Sequence, residues 1–228
     1  MIIRVARAAE KAKADSLLVA TDSELIAELC VRHGFDALMT QEDHPSGTDR
    51  LNEVAQIKGW DDDDVVINVQ GDEPLIPAAV IEQVAQLLIR KPECDLATLC
   101  EPIEHMKDLL NPSVVKVARS FSDEALYFSR APIPAGRTQL LDPSADPAPW
   151  LHEARRHLGL YAYRVRALRA FASWGEGRLE ALEALEQLRF MEHSKRIAIE
   201  QSCEQVPGGV DTQEDLDRMN RLPEQLFA

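Results

Sequence analysis

Apolar and polar positions along this chain switch repeatedly between two periods. Ile2, Val5, Ala6 and Ala9 share one helical stripe and predict a helix over 2–13. The run S-L-L-V-A at 16–20 is short, apolar and bounded by polar residues, as a buried strand is. Asp22 or Ser23 then caps a helix to about His33, with Gly34 set to end it. A strand at 36–40, a polar loop and a helix over about 48–58 follow. V-V-I-N-V at 65–69 is the clearest strand of all. Pro77 sits where a first helical turn tolerates proline and opens a helix to about Arg90, and a strand over 95–100 comes next. Alternating strands and helices with apolar strands predict an α/β fold, its sheet mostly parallel and covered by helices on both faces.

The second half changes pattern. Segments 114–119 and 124–129 read as strands joined by a short polar turn, a smaller antiparallel excursion. Five prolines (Pro132, Pro134, Pro143, Pro147 and Pro149) make 131–150 a long loop, and loops of that length are usually functional or mobile. A strand over 157–164, helices over 165–173 and 179–191, a strand over 196–200 and a helix from near Thr212 complete the pattern. It has no internal repeat, and 1–228 reads as a single domain. The acidic run at 61–64 lies between a helix and a strand, the position of a solvated turn.

Composition narrows the function. A hydrophobic fraction of 45% with 28% charged residues is that of a globular chain. No apolar run approaches the roughly 18 residues that span a bilayer, so no membrane partner is expected. With 25 basic and 39 acidic residues the net charge is −14, which argues against nucleic acid as a partner. An anionic small molecule stays compatible if a divalent cation accompanies it. Cys30, Cys94, Cys100 and Cys203 have no metal-ligand spacing and suit a reduced, cytoplasmic compartment.

In doubly wound sheets ligands bind beyond the carboxyl ends of the strands. Three such exits carry chemistry here. In N-V-Q-G-D-E-P at 68–74, Gly71 allows close backbone approach and Asp72 offers a hard oxygen; an ordinary turn with a capping acid is the alternative. G-G-V-D-T-Q-E-D at 208–215 is a second glycine-rich exit with an acid, though Asp211 or Thr212 could simply cap a helix. D-H-P-S-G-T-D-R at 43–50, small and polar with Arg50 on the first helical turns, suits a nucleotide, or is a long capped loop. Asp72 and Asp211 could share one Mg²⁺, which prefers one or two carboxylates plus substrate phosphates. Walker, dinucleotide-fold, nucleophile-elbow and zinc-protease motifs are all missing. Spacing thus reaches a Mg-dependent nucleotide- or sugar-handling α/β enzyme.

Eight segments in order go further: V-A-T-D at 19–22, H-P-S-G-T-D-R at 44–50, V-I-N-V-Q-G-D-E-P at 66–74, N-P-S-V-V-K-V at 111–117, A-L-Y-F-S-R-A-P-I-P at 125–134, H-L-G-L-Y-A-Y-R at 157–164, L-E-A-L-E-Q-L-R at 182–189 and G-V-D-T-Q-E-D-L at 209–216. The chain closely resembles the 3-deoxy-manno-octulosonate cytidylyltransferases, the CMP-Kdo synthetases of lipopolysaccharide assembly. The resemblance implies a Rossmann-like nucleotidyltransferase sheet and attack of the anomeric hydroxyl of Kdo on the α-phosphate of CTP. It implies CMP-Kdo and pyrophosphate as products, with Mg²⁺ required. Asp72 and Asp211 would hold the metal. Ser46, Gly47, Thr48 and Arg50 would line the cytidine side, with Gln70 between nucleotide and sugar. His157, Tyr161, Glu186 and Gln187 would face the sugar acid, with Arg130 as a helper. A homodimer is implied too, with 111–164 the region for its interface or for sugar-side loops.

The family pattern begins earlier, with a strand and a triphosphate-holding loop of the form P-A-R-x-x-S-x-R-L-P-G-K. Here the chain opens directly into a helix without a capping side chain. The first strand and phosphate loop are therefore expected to be missing, through a start set too late or a truncated, impaired product. A remnant that only binds sugar acid or a partner chain is one alternative function. A cytidylyltransferase for a related sugar acid is another.

Overall fold

The structure, a computed structural model, describes residues 1–210, 212–223 and 227. Its strands are β1 (Val19–Thr21), β2 (Ala37–Met39), β3 (Val65–Asn68), β4 (Leu96–Pro102), β5 (Lys116–Arg119), β6 (Ala125–Ser129), β7 (Arg155–Arg164) and β8 (Ile197–Gln201). Helices α1 (Ile2–Glu10), α2 (Glu24–Arg32), α3 (Gly47–Lys58) and α4 (Ala78–Arg90) belong to the first half. The second half holds α5 (Met106–Leu110), α6 (Arg137–Leu141), α7 (Ala148–Glu153), α8 (Val165–Ser173), α9 (Arg178–Glu183), α10 (Gln187–Glu192) and α11 (Gln213–Arg221).

The α/β class is as expected, and the main sheet is mixed. Its order is β6-β5-β7-β4-β8, with β3 also on β7. The β4–β8 pair is parallel, whereas β7 runs antiparallel to β3, β4 and β5. β1 and β2 form a separate parallel pair. Helix α1 touches both groups. Ala6, Ile2 and Ile3 pack with Val19, Cys30 and Phe35, while Ala8, Ala9 and Ala12 pack against the cluster that holds Val80, Val84 and Leu160. Helix α4 buries Val80, Ile81, Val84, Leu87 and Leu88, a stripe at helical spacing.

The topology around β7 sets the site. β4 runs along one edge of β7 from Arg155 to Tyr163. The other edge is divided: β3 pairs from Arg164 to Tyr161, and β5 reaches only Arg156. A fork therefore opens beside residues 158–160. Across it the β4–β7 register jumps, Thr98 facing Tyr161 and Leu99 facing Leu158, so Gly159 and Leu160 form a two-residue bulge.

Several elements correct the sequence pattern. The segment 131–150 is not all loop: it contains α6 and the start of α7, anchored by buried Trp150, whose indole donates to Pro134 O at 2.6 Å. The short α5 was not expected. The single helix over 179–191 is two, broken at Ala184, whose φ of 49° is left-handed. The acidic run is the expected turn, with Asp62 and Asp63 pairing with Arg169 and Arg166. Among the cysteines, Cys30, Cys94 and Cys100 are buried and Cys203 is exposed, all free thiols.

Candidate active site

The exit of β3 leads straight into the fork. Asn68 pairs with Tyr161, so Gln70, Gly71 and Asp72 leave toward residues 158–160. Gln70 is exposed, and its carbonyl accepts from Glu73 N at 3.2 Å, which closes the turn. Asp72 is half-buried, and its carboxylate has no hydrogen bond or ion pair among the described residues. Its carbonyl accepts from Val210 N at 3.0 Å. A Cβ on Gly209 would stand 3.1 Å from that same carbonyl, closer than side chains normally come, so the glycine is what lets the two backbones meet. Asp211, the second expected metal ligand, lies outside the described residues. The chain just before it rests on Asp72, and a free carboxylate at this junction fits a hard divalent cation. Glu93, Cys94 and Glu124 also gather ligand atoms, but Glu124 is paired with Arg196 and burial pushes the Cys94 thiol up to about 11.

The loop expected on the nucleotide side is built around the start of α3. Ser46 caps the helix: its hydroxyl accepts from Asp49 N at 3.2 Å and donates to the Asp49 carboxylate at 2.8 Å. Gly47 stands over Asn68, and its missing Cβ would be 3.8 Å from that amide. Arg50 ties the loop together, donating to Asp22 at 2.7 Å and to Gln41 O at 3.2 Å as well as to Thr40. This pairing holds the Asp22 carboxyl below its usual range. Glu53 latches the other end, accepting from Gln41 N at 3.0 Å and contacting His44 Nε2.

Thr48 links the two halves. It is buried, and its hydroxyl donates to Glu186 at 2.9 Å and lies 3.5 Å from the Tyr163 hydroxyl. Glu186 is exposed as a residue, yet desolvation where its carboxylate meets Thr48 raises that carboxyl above its ordinary value, partly offset by the Thr48 and Ser46 hydroxyls. The neighbouring Gln187 is buried, and its Nε2 finds no partner among the described residues. The Tyr161 hydroxyl is equally buried and unpartnered. The rings of His157 and Tyr161 lie 5.3 Å apart, with Phe128 edge-on to His157 at 5.0 Å. Desolvation pulls His157 down to about 3, leaving a neutral imidazole.

Arg130 sits against the turn between α9 and α10. Its guanidinium donates to Glu183 O, Pro112 O and Ala184 O at 2.6, 3.0 and 3.1 Å, so it clamps backbone segments together. Sequence reasoning missed Thr98, Tyr163, Glu53 and the buried Glu180–Arg189 pair, which bridges α9 and α10 through two 2.6 Å bonds. Thr98 and Tyr163 meet partners distant along the chain, whereas Glu53 and the Glu180–Arg189 pair bridge short stretches at spacings that mark no helix or strand face.

Residues 1–197 match the family model described as cytidylyltransferase. This chain belongs to the cytidylyltransferase family. It is 54% identical over 229 residues to a 3-deoxy-manno-octulosonate cytidylyltransferase of Acinetobacter baumannii (strain AYE), covering all of this chain and 89% of the relative. An enzyme of the same name from Psychrobacter sp. (strain PRwf-1) is 52% identical, with 98% and 84% covered. A solved CMP:2-keto-3-deoxy-manno-octonic acid synthetase, complexed with CTP, superposes with a TM-score of 0.86 at 35% identity, over 98% of this chain and 87% of that one. A cytidylyltransferase from Leptospira borgpetersenii, at 11% identity and a TM-score of 0.56, shares the fold.

Proposed function

We propose that this cytidylyltransferase transfers CMP from CTP to 3-deoxy-D-manno-octulosonate, releasing pyrophosphate and supplying CMP-Kdo for lipopolysaccharide assembly. The observation that carries this reading is the two buried, unpartnered polar atoms Tyr161 Oη, whose ring lies 5.3 Å from that of neutral His157, and Gln187 Nε2. Buried polar groups without partners cost free energy, and a polyhydroxylated acid supplies the missing ones. Through Thr48 this polar patch joins the Ser46–Gly47–Thr48 helix start, where backbone N–H groups and small side chains suit a nucleotide.

In the reaction the anomeric hydroxyl of the sugar acid attacks the α-phosphorus and the P–O bond to pyrophosphate breaks. Positioning and charge neutralisation dominate such transfers. His157, Tyr161, Glu186 and Gln187 orient the sugar, Ser46, Gly47 and Thr48 hold the nucleotide, and Arg50 keeps the nucleotide loop in shape. Gln70 stands between the two, and Arg130 acts on the sugar side by fixing the turn ahead of Glu186. Asp72 and Asp211 are the expected ligands of Mg²⁺, which when bound would neutralise charge on the phosphates.

The working form is a homodimer in the cytoplasm. Exposed Leu110, Phe121, Leu126, Leu140 and Leu141, all within or beside the excursion and its proline-rich loop, support an interface there. No helix among the described residues is long and apolar enough to cross a membrane. The test is pyrophosphate release with CTP and Mg²⁺ while the acceptor varies. Release should depend on Kdo, and a sialic acid should not replace it. Release that prefers sialic acid, or that ignores the acceptor, would overturn the reading.

A further inference from the structure

Thr98 is wholly buried on β4, and its hydroxyl oxygen is shared by three groups: His157 Nε2 at 3.0 Å, Leu158 O at 3.0 Å and Leu160 O at 2.8 Å. A hydroxyl carries one proton. Were His157 Nε2 the acceptor, that proton would be spent on it, and two carbonyl oxygens would face hydroxyl lone pairs at contact distance. With the proton directed at the carbonyls, Nε2 must carry its own hydrogen and donate to Thr98. A neutral imidazole has only one N–H, so Nδ1 is left with a lone pair, and it makes no hydrogen bond among the described residues. The strong desolvation of His157 keeps the ring neutral.

The same hydroxyl explains the bulge. Gly159 and Leu160 are the two unmatched residues of β7, and Leu158 O and Leu160 O bracket them. A regular strand rises about 3.3 Å per residue, so residues four apart would be roughly 13 Å apart. Here His157 pairs with Cys100 and Tyr161 with Thr98, only two positions apart on β4, and the two side chains share a face. Thr98 thus holds the irregular backbone that sets these rings side by side.

We propose that Thr98 is a positioning residue for the sugar acid: its hydroxyl staples the β7 bulge and locks His157 as the Nε2–H tautomer, so that Nδ1 is a fixed acceptor for a sugar hydroxyl. The function given to Nδ1 rests on the sugar-side reading above, whereas the hold on the tautomer does not.

The test uses ¹⁵N-histidine-labelled protein and two-bond spectra that separate protonated from bare ring nitrogens. In the wild type, His157 should show protonated Nε2 and bare Nδ1 throughout pH 5–8, and added Kdo should shift Nδ1. Thr98→Val should mix the tautomers and weaken Kdo binding at least ~10-fold, the scale of one well-placed hydrogen bond, with CTP affinity unchanged. Thr98→Ser should restore the tautomer and bring Kdo affinity within about 3-fold of wild type, since the hydroxyl is kept. An Nδ1–H tautomer or an imidazolium in the wild type at pH 7 overturns the proposal, even if Thr98→Val fails to fold. So does a folded Thr98→Val protein with wild-type tautomer and Kdo affinity. If the tautomer is as stated but Kdo leaves Nδ1 unmoved, the sugar-side reading falls, and with it the role of Nδ1, while the hold of Thr98 on the tautomer stands.

Discussion

Asp72 presents a half-buried carboxylate with no partner among the described residues, so the fold gains little from it and the chemistry can gain much. Asp72→Asn should lower kcat at least ~100-fold, the scale of lost transition-state electrostatics, while the thermal midpoint hardly changes. Steady-state kinetics with Mg²⁺ and a melting curve check both halves. Glu186 is the opposite case. Its carboxyl is raised in the folded state, so folding is favoured while the group is protonated. That advantage is full below the ordinary 4.5 and is lost as pH rises through the raised value. Glu186→Gln removes the charge yet can still accept from Thr48. In urea melts at pH 4 and pH 7.5, the variant should gain on the wild type at the higher pH, and Kdo binding should weaken at both.

At the scale of elements, the break between α9 and α10 shows how one distant side chain overrides a local pattern. Residues 179–191 have the composition of one amphipathic helix. A continuous helix would need Glu183 O and Ala184 O to accept from the amides of Gln187 and Leu188. Arg130 takes both carbonyls from across the fold, and Leu188 N turns to Leu185 O instead. The Glu180–Arg189 pair then holds the two short helices together, with the Arg189 guanidinium 3.9 Å over the Phe171 ring. Ala184 bears the strain of the left-handed turn. Ala184→Gly should therefore stabilise the protein by about 0.5–1 kcal/mol, relief of that strain exceeding the entropy lost by a more flexible chain. A urea midpoint that falls would show that the turn is not strained. The same break sets Glu186 and Gln187 at the start of α10, so the turn that looks like a defect in the helix orients part of the site.

At the scale of the molecule, α1 joins the β1–β2 pair to the main sheet, and under the proposed dimer exposed Leu126 on β6 would face a second copy. Light scattering should give about twice the 25.5 kDa of one chain. Leu126→Asp, on the outer strand β6, should shift that mass toward the monomer, and a wild type that stays monomeric would remove the dimer. Much of this protein is legible in its sequence. Alternating periods locate the strands of the first half and α1 to α4, because burying an apolar stripe is a local requirement that each segment writes into its own spacing. The ordered motifs identified the family and nominated Ser46, Thr48, Tyr161, Glu186 and Gln187, which the fold gathers around one patch through Thr48. Other features had no local signature. The fork beside β7, the bulge that brings His157 to Tyr161, the Thr98 hydroxyl and the Arg130 clamp on Glu183 and Ala184 depend on partners dozens of residues away. Strand register decides those meetings, and register is fixed only when the whole sheet has assembled.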